Sequence, residues 1–367
     1  MRILILSNTF WSVYNFRSSF VKEFIKNRND VLVASLKDNS VKNIKKLGAT
    51  TKEINIISKN TNPFKELKLL FDLNKIIKKY KPDVVINFTI KPIIYSSLLL
   101  RNSKIKVINT LDGFGLSLSK NFLFKKMIFI LFKISQKNIL TFYAVTKNDY
   151  NLIKEKKLVK KNKLKLINGT GVNIQHYKYS KPNKSKTTTF IFVGRFLILK
   201  GIKMFVKAAE LINKEYKNVD FIAIGDCSND KYSISKKDLK DWKKSNIVKF
   251  YKPISDVRKI IKNSDCIVLP TSYPEGLNRS LLEGISMGRS AITSKIGGST
   301  QIIKNNFNGY ITSIKNEYDL SKIMIKFHKL SYKKRLKFSR NGRKFVEKNF
   351  DEKKIIKKYL EEINNHD

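Results

Sequence analysis

Two carboxylates, Glu275 and Glu283, stand seven residues apart in the segment Pro270-Thr271-Ser272-Tyr273-Pro274-Glu275-Gly276-Leu277-Asn278-Arg279-Ser280-Leu281-Leu282-Glu283-Gly284. The segment directly follows Cys266-Ile267-Val268-Leu269, an apolar run that reads as a buried strand. The first acid falls in a loop containing Pro and Gly, and the second falls inside the helix expected next. With Asn278 as the cap of that helix, Glu283 lies about 7 Å along the axis from it. Free N–H groups at a helix start favour an anion such as a diphosphate. Acids beside an anion make chemical sense when they accept hydrogen bonds from hydroxyls, and a sugar at one end with a ribose at the other supplies these. The plainer alternative is that Glu275 caps a loop and Glu283 is solvated.

Gly288 and the strand Ser290-Ala291-Ile292-Thr293 follow this pair. The whole arrangement resembles the large retaining glycosyltransferase family, the fourth in the usual sugar-enzyme classification, which has the GT-B fold and carries an E-x7-E motif in this setting. The resemblance spans essentially the whole chain and is more specific in the second half. It implies that Glu275 contacts hydroxyls of the donor sugar and Glu283 the ribose of the nucleotide, with Gly276, Leu277 and Asn278 beside the donor. A second matching segment, Phe192-Val193-Gly194-Arg195-Phe196-Leu197-Ile198-Leu199-Lys200-Gly201, ends another strand. There Arg195 and Lys200, next to Gly194, are placed to bind the diphosphate and to stabilise the charge that builds on it as the glycosidic bond breaks. Two fixed cations remove the need for a divalent ion, so neither metal nor cofactor is expected. The chain accordingly has no Asp-x-Asp motif and three histidines, His176, His328 and His366, none at ligand spacing from another.

The first half carries the acceptor-side candidates. The loop Ser7-Asn8-Thr9-Phe10-Trp11-Ser12-Val13-Tyr14-Asn15-Phe16-Arg17 lacks the Gly-Gly pair common in the family. It is similar instead to the subgroup that moves N-acetylgalactosamine onto polyprenyl-diphosphate sugars, where a Tyr-x-Phe-Arg ending is familiar. Arg17 then meets an acceptor diphosphate, or it is a helix-start cation on a solvated face. In Asn109-Thr110-Leu111-Asp112-Gly113-Phe114-Gly115, Asp112 replaces the His that the family often places near the reacting carbon. It either accepts a hydrogen bond from the acceptor hydroxyl or orders the loop. A further departure is Gln301 in Gly297-Gly298-Ser299-Thr300-Gln301, where the family commonly has Glu. Gly297 and Gly298 are carried over only as a loop near the donor sugar.

These residues need strand ends to hold them. Short Ile-, Val- and Phe-rich runs alternate with helical periodicity, the pattern of parallel sheets with crossover helices. Strands are expected at residues 2–6, 31–35, 53–57, 84–88, 106–110, 141–145 and 164–168, with helices such as 16–27 and 66–80 between them. The polar stretch Lys181-Pro182-Asn183-Lys184-Ser185-Lys186 marks a domain boundary. Beyond it strands are expected at 189–193, 219–224, 247–250, 266–269 and 290–294. The fold class is therefore α/β, GT-B: two doubly wound Rossmann-like domains, 1–182 and 183–350, facing across a cleft where ligands bind. A last helix in 351–367, with Ile355, Ile356, Tyr359 and Leu360 on one face, closes either domain.

At 367 residues the chain exceeds one ordinary core, and 42% hydrophobic and 11% aromatic residues argue against disorder. Lys and Arg exceed Asp and Glu by 75 to 29, a net charge of +46 that attracts polyanions, although an AT-rich codon bias also enriches Lys, Ile and Asn. Two cysteines, Cys227 and Cys266, exclude a disulfide framework and fit a reducing cytoplasm. The apolar run at the N-terminus is too short for a signal peptide, and no stretch reaches the roughly 20 apolar residues a bilayer span needs. Residues 122–134 interleave Phe122 and Phe129 with Lys125, Lys126 and Lys133. This suits a helix lying on an anionic membrane surface, or else a buried helix whose lysines reach out.

The expected activity is retaining, metal-independent transfer of an N-acetylhexosamine from a nucleotide-diphosphate donor to a polyprenyl-diphosphate-linked saccharide. Arg195, Lys200, Glu275 and Asp112 are the catalytic candidates. The enzyme would work on the inner face of a bacterial cytoplasmic membrane, in O-antigen, capsule or glycoprotein synthesis. A UDP-sugar 2-epimerase shares the fold but generally relies on a cleft His. A nucleic-acid binder fits the charge, yet the lysines are spread through both halves instead of clustered on one element.

Overall fold

The computed structural model describes residues 1–56, 62–115, 122–228, 231–254, 256–273, 276–314 and 316–364. Contacts divide the chain into two compact units, Met1–Thr170 with Glu352–Asp367, and Gly171–Asp351.

Unit 1 runs β1 (Arg2–Thr9), α1 (Phe10–Lys26), β2 (Asp30–Leu36), α2 (Val41–Lys46), β3 (Thr50–Glu53), α3 (Pro63–Tyr80), β4 (Val84–Phe88), α4 (Ile90–Leu99), β5 (Lys106–Leu111), α5 (Phe122–Ser135), β6 (Thr141–Ala144), α6 (Lys147–Glu155) and β7 (Leu164–Leu166). The strands pair in the order β3-β2-β1-β4-β5-β6-β7, every pair parallel. Helices on both faces explain why β1 and β4 are apolar throughout instead of alternating. Leu4, Leu6, Val85, Val107 and Phe142 form one buried face beneath Leu69 and Leu73 of α3, Ile93 of α4 and Phe132 of α5.

Unit 2 runs β8 (Thr188–Val193), α7 (Ile202–Glu215), β9 (Val219–Ile224), α8 (Lys236–Ser245), β10 (Val248–Tyr251), α9 (Arg258–Lys262), β11 (Cys266–Leu269), α10 (Arg279–Ser286), β12 (Ser290–Ser294), α11 (Ser299–Ile302), β13 (Gly309–Thr312), α12 (Glu317–His328) and α13 (Tyr332–Asn349). Its strands pair in the order β10-β9-β8-β11-β12-β13, again parallel. In each unit the chain winds outward from a central strand and then crosses back, the doubly wound arrangement that gathers functional loops at the carboxyl strand ends.

The last helix, α14 (Glu352–Asn364), belongs to unit 1. Its Tyr359 is fully buried, shares a hydrogen bond with Thr110 Oγ1, and sits edge-on to Phe20 with ring centres 5.1 Å apart. Glu362 accepts a 2.6 Å bond from Thr141 and pairs with Lys165, so α14 clasps β5, β6 and β7 together.

Four elements differ from the sequence expectation. The units part at Thr170 and Gly171 instead of 182, because residues 171–180 are tied to unit 2 by arginines lying far along the chain. Arg279 donates to the Gly171 carbonyl, Arg343 to those of Ile174 (3.1 Å) and Tyr177 (2.9 Å), and Arg289 to that of Ser180. The strand expected at 53–57 pairs instead at Thr50–Glu53, and its apolar residues Ile54 and Ile56 enter the core beyond the paired part. Helix α1 begins at Phe10, so most of the anticipated loop before Arg17 is helical, capped by Thr9, whose side chain accepts from Ser12 N–H. The short strand β13, without apolar alternation, completes the second sheet beside β12.

Candidate functional site

In unit 2 the carboxyl-end loops of the central strands are packed backbone to backbone. The turn Ile198–Lys200 is held to the loop after β11, where Ser272 N–H donates to the Leu199 carbonyl at 2.8 Å and Thr271 Oγ1 donates to the same oxygen at 3.2 Å. Gly201 follows with φ +84°, and a Cβ there would meet the Pro270 carbonyl at 2.3 Å, so only glycine permits this approach. Gly298 plays the same part for the loop after β12: an added Cβ would meet the Gly276 carbonyl at 2.4 Å. The turn carrying Lys200 is thereby fixed against Pro270–Ser272, and the Gly297-Gly298 loop against Gly276 and Leu277. Glu275 lies outside the described residues. Gly194 leaves β8 with its N–H bonded to the Ile224 carbonyl at 3.0 Å. Arg195 is exposed, with no anionic partner among the described residues. That leaves a guanidinium available for a diphosphate.

Asn278 caps α10, its Oδ1 accepting from Leu281 N–H at 3.4 Å and from Ser280 Oγ at 2.7 Å. One turn on, Glu283 is nearly buried, not solvated, and its Oε1 lies 3.4 Å from Arg279 Nε. The Tyr177 hydroxyl bonds the same carboxylate. Burial pushes the Glu283 carboxyl up from its ordinary value, against the downward pull of Arg279 and Tyr177. It likewise pushes the Tyr177 hydroxyl up, with the Glu283 charge adding to the effect. The carboxylate is therefore oriented before any ligand arrives.

In unit 1 the two acceptor-side candidates are one structure. Arg17 is 2% exposed, with its guanidinium stacked 3.9 Å from the Phe88 ring centre and paired with Asp112. The reading of Arg17 as a solvated cation is therefore corrected: α1 starts seven residues earlier, which turns this side chain inward over β4. Asp112, just after β5, keeps a side chain 40% exposed and is the half of the pair that faces outward. Beside them Thr89 holds φ +73°, unusual for a β-branched residue, with Oγ1 donating to Asn8 Oδ1 at 2.7 Å. Asn8, Thr89 and Asp112 thus gather at the ends of β1, β4 and β5. Behind them a buried amide network joins Asn87 to Asn109 (2.7 Å) and Asn109 to Gln136 (2.6 Å), fixing β4 against β5.

Residues 2–146 match the model of the glycosyl transferase 4-like family, and residues 173–345 match that of the glycosyl transferases group 1 family. The chain belongs to the GT-B glycosyltransferases. The glycosyltransferase is 26% identical to the N,N'-diacetylbacillosaminyl-diphospho-undecaprenol alpha-1,3-N-acetylgalactosaminyltransferase of Campylobacter jejuni, over 98% of this chain and 97% of that one. It is also 26% identical to the UDP-Gal:alpha-D-GlcNAc-diphosphoundecaprenol alpha-1,3-galactosyltransferase of Escherichia coli, over 72% and 70% respectively. Among solved structures, Anabaena HepE in complex with UDP superposes with a TM-score of 0.80 at 16% identity, covering 100% of both chains. A glycosyltransferase from Rickettsia africae gives 0.79 at 22% identity over 100% and 99%. These neighbours share the fold, and nothing among these relatives favours the epimerase reading.

Sequence reasoning about the glycosyltransferase overlooked Arg279 and Tyr177. The i, i+4 spacing of Arg279 and Glu283 was a legible sign of an ion pair. Tyr177, far upstream, gave no local sign. Among the described residues no group of His, Cys, Asp and Glu is arranged to hold a metal ion. His176 meets the Tyr177 ring edge-on, with ring centres 4.9 Å apart, and His328 bonds Thr188 Oγ1 at 2.8 Å.

Helix α5 buries Ile128 and Phe132 and turns Phe122 (77% exposed), Met127, Ile130 and Ile134 outward. Lys126 and Lys133 are exposed on the same side, while Lys125 lies 5.8 Å from the ring centre of half-buried Phe129. No helix among the described residues is long and apolar enough to cross a membrane.

Proposed function

We propose that this glycosyltransferase moves an N-acetylhexosamine, with retention of anomeric configuration and without a metal, from a UDP-sugar to a polyprenyl-diphosphate-linked saccharide. One observation carries the reading. The loops after β8 and β11 are drawn together at Gly201, and those after β11 and β12 at Gly298, while the exposed Arg195 faces no anion among the described residues. An exposed guanidinium beside close-packed loop backbone suits a nucleotide diphosphate.

In this reading Arg195 and Lys200 hold the β-phosphate as it departs, and Glu275 accepts hydrogen bonds from the donor sugar. Glu283, steadied by Arg279 and Tyr177, accepts from the ribose. Asp112 receives a hydrogen bond from the acceptor hydroxyl, and Arg17 positions Asp112 without reaching the acceptor itself. The C. jejuni and E. coli relatives, named for undecaprenyl-diphosphate acceptors, support the acceptor class. The outward apolar side chains of α5, with Lys126 and Lys133 between them, support docking at the anionic cytoplasmic face of a membrane, where such an acceptor resides.

The test is transfer from UDP-N-acetylgalactosamine to a short-chain prenyl-diphosphate saccharide in excess chelator. The expected product has an α-linkage by NMR. Glu275→Ala should lower turnover by about 10²-fold or more with the melting temperature unchanged. A β-linked product, or near-normal turnover by the variant, contradicts the assignment.

A further inference from the structure

Helix α3 carries an outward face of unusual composition, covered by no other element among the described residues. Phe64 is 83% exposed, Leu67 53% and Phe71 67%, three large apolar side chains spaced i, i+3, i+7. At about 100° per residue they lie opposite Leu69, Leu73, Ile76 and Ile77, which are buried in the core of unit 1. Lys68, Lys75 and Lys78 share the outer face with them. Lys78 and Lys75 also line a shallow depression around Phe71. The acid of the first turn is withdrawn from that face: Glu66 accepts from Lys91 Nζ and from the Tyr95 hydroxyl, both at 2.6 Å. What remains outside is apolar and mostly cationic, Asp72 being the one acid that lines the depression with Lys75, Lys78 and Lys79.

Helix α4 packs against both α3 and α5, and all three cover the same face of the unit 1 sheet. The two outward faces of the same chemistry therefore flank one helix on one side of the unit. We infer that α3 is a second membrane-docking element, inserting Phe64, Leu67 and Phe71 into the interface of an anionic bilayer while its lysines meet the headgroup phosphates. The inference rests on the docking reading given above for α5. Aromatic and leucyl side chains with a lysine-rich surround are the composition of interfacial helices. A second copy of the chain fits poorly, since at a net charge of +46 it would set lysine against lysine. A nucleic acid would leave three large apolar groups facing phosphate.

The test is flotation of the full chain with vesicles of equal phosphatidylglycerol and phosphatidylcholine, against pure phosphatidylcholine, at about physiological ionic strength. The triple variant Phe64→Ser, Leu67→Ser, Phe71→Ser should bind the anionic vesicles at least about tenfold more weakly. Its transfer to a soluble short-chain acceptor should be unchanged. In Phe71→Trp, brominated phosphatidylglycerol should quench the added tryptophan. Full vesicle binding by the triple variant, with binding lost only in Lys126→Glu, Lys133→Glu, overturns the inference and leaves the α5 reading standing. Absence of vesicle binding by the native chain overturns both. An unquenched Phe71→Trp, or a native dimer or duplex-DNA complex that the triple variant loses, also overturns it.

Discussion

The strand-end loops of the two units handle charge in opposite ways. In unit 2 the backbone is compacted through glycine contacts, and Arg195 is left facing no counter-ion among the described residues. In unit 1 the buried cation Arg17 is already neutralised by Asp112, and the surrounding groups are neutral hydroxyls and amides. Among the described residues, the loops of one unit leave a guanidinium without a counter-ion, while those of the other hold their buried cation in a balanced pair beside neutral groups. Glu283 does not upset this contrast, because its own partners, Arg279 and Tyr177, satisfy it.

That contrast can be broken experimentally. The largest effect is expected from Asp112→Ala, which strands the buried Arg17 guanidinium without a partner and should lower the stability of unit 1 by about 3 kcal/mol in chemical denaturation. Arg195→Ala in unit 2 should do the reverse: denaturation unchanged within about 0.5 kcal/mol, but turnover reduced by about 10²-fold, or roughly 2.7 kcal/mol of transition-state binding. If both variants chiefly lose stability, or both chiefly lose turnover, the two ends are not specialised as described.

A smaller effect tests the strain at Thr89. Thr89→Gly relieves a φ that β-branched residues avoid, and should leave stability within about 1 kcal/mol of the native chain despite the lost bond to Asn8. The acceptor KM should rise in the same variant. An unchanged KM would make Thr89 a passive turn residue. The smallest effect concerns His328 in unit 2, whose protonation is disfavoured by burial and then by Arg335 and Lys329. With its folded value below the unfolded one, its contribution is present above about pH 6.5 and is lost as pH falls through the folded value. The melting-temperature gap between the native chain and His328→Gln should therefore narrow by about 1–2 °C between pH 7.5 and 5.

Much of this architecture was legible in the sequence, because buried parallel strands are written as apolar runs and crossover helices as amphipathic ones. The strands 219–224, 266–269 and 290–294 were read to the residue. The Asn278 cap was equally legible, since a capping side chain acts on N–H groups only three residues away. Long-range features were not. The inward turn of Arg17 depends on Phe88 and Asp112, and the placement of residues 171–180 depends on Arg279, Arg289 and Arg343. The plainer alternative of a solvated Glu283 rested on its place one turn into a helix; its burial and its bond to Tyr177 come from residues far from it in the chain. The outward face of α3 was hidden for a different reason. Phe64, Leu67 and Phe71 count as core in any apolar tally, and only the packed structure shows that Leu69 and Leu73 took that place.

The central claim is that unit 2 grips a nucleotide diphosphate through fixed cations. Calorimetric titration of UDP into the full chain, in excess EDTA, tests it most directly. The account predicts saturable binding without divalent ions, weakened about tenfold by Arg195→Ala. Binding that appears only when a divalent ion is restored, or an affinity untouched by Arg195→Ala, would contradict it.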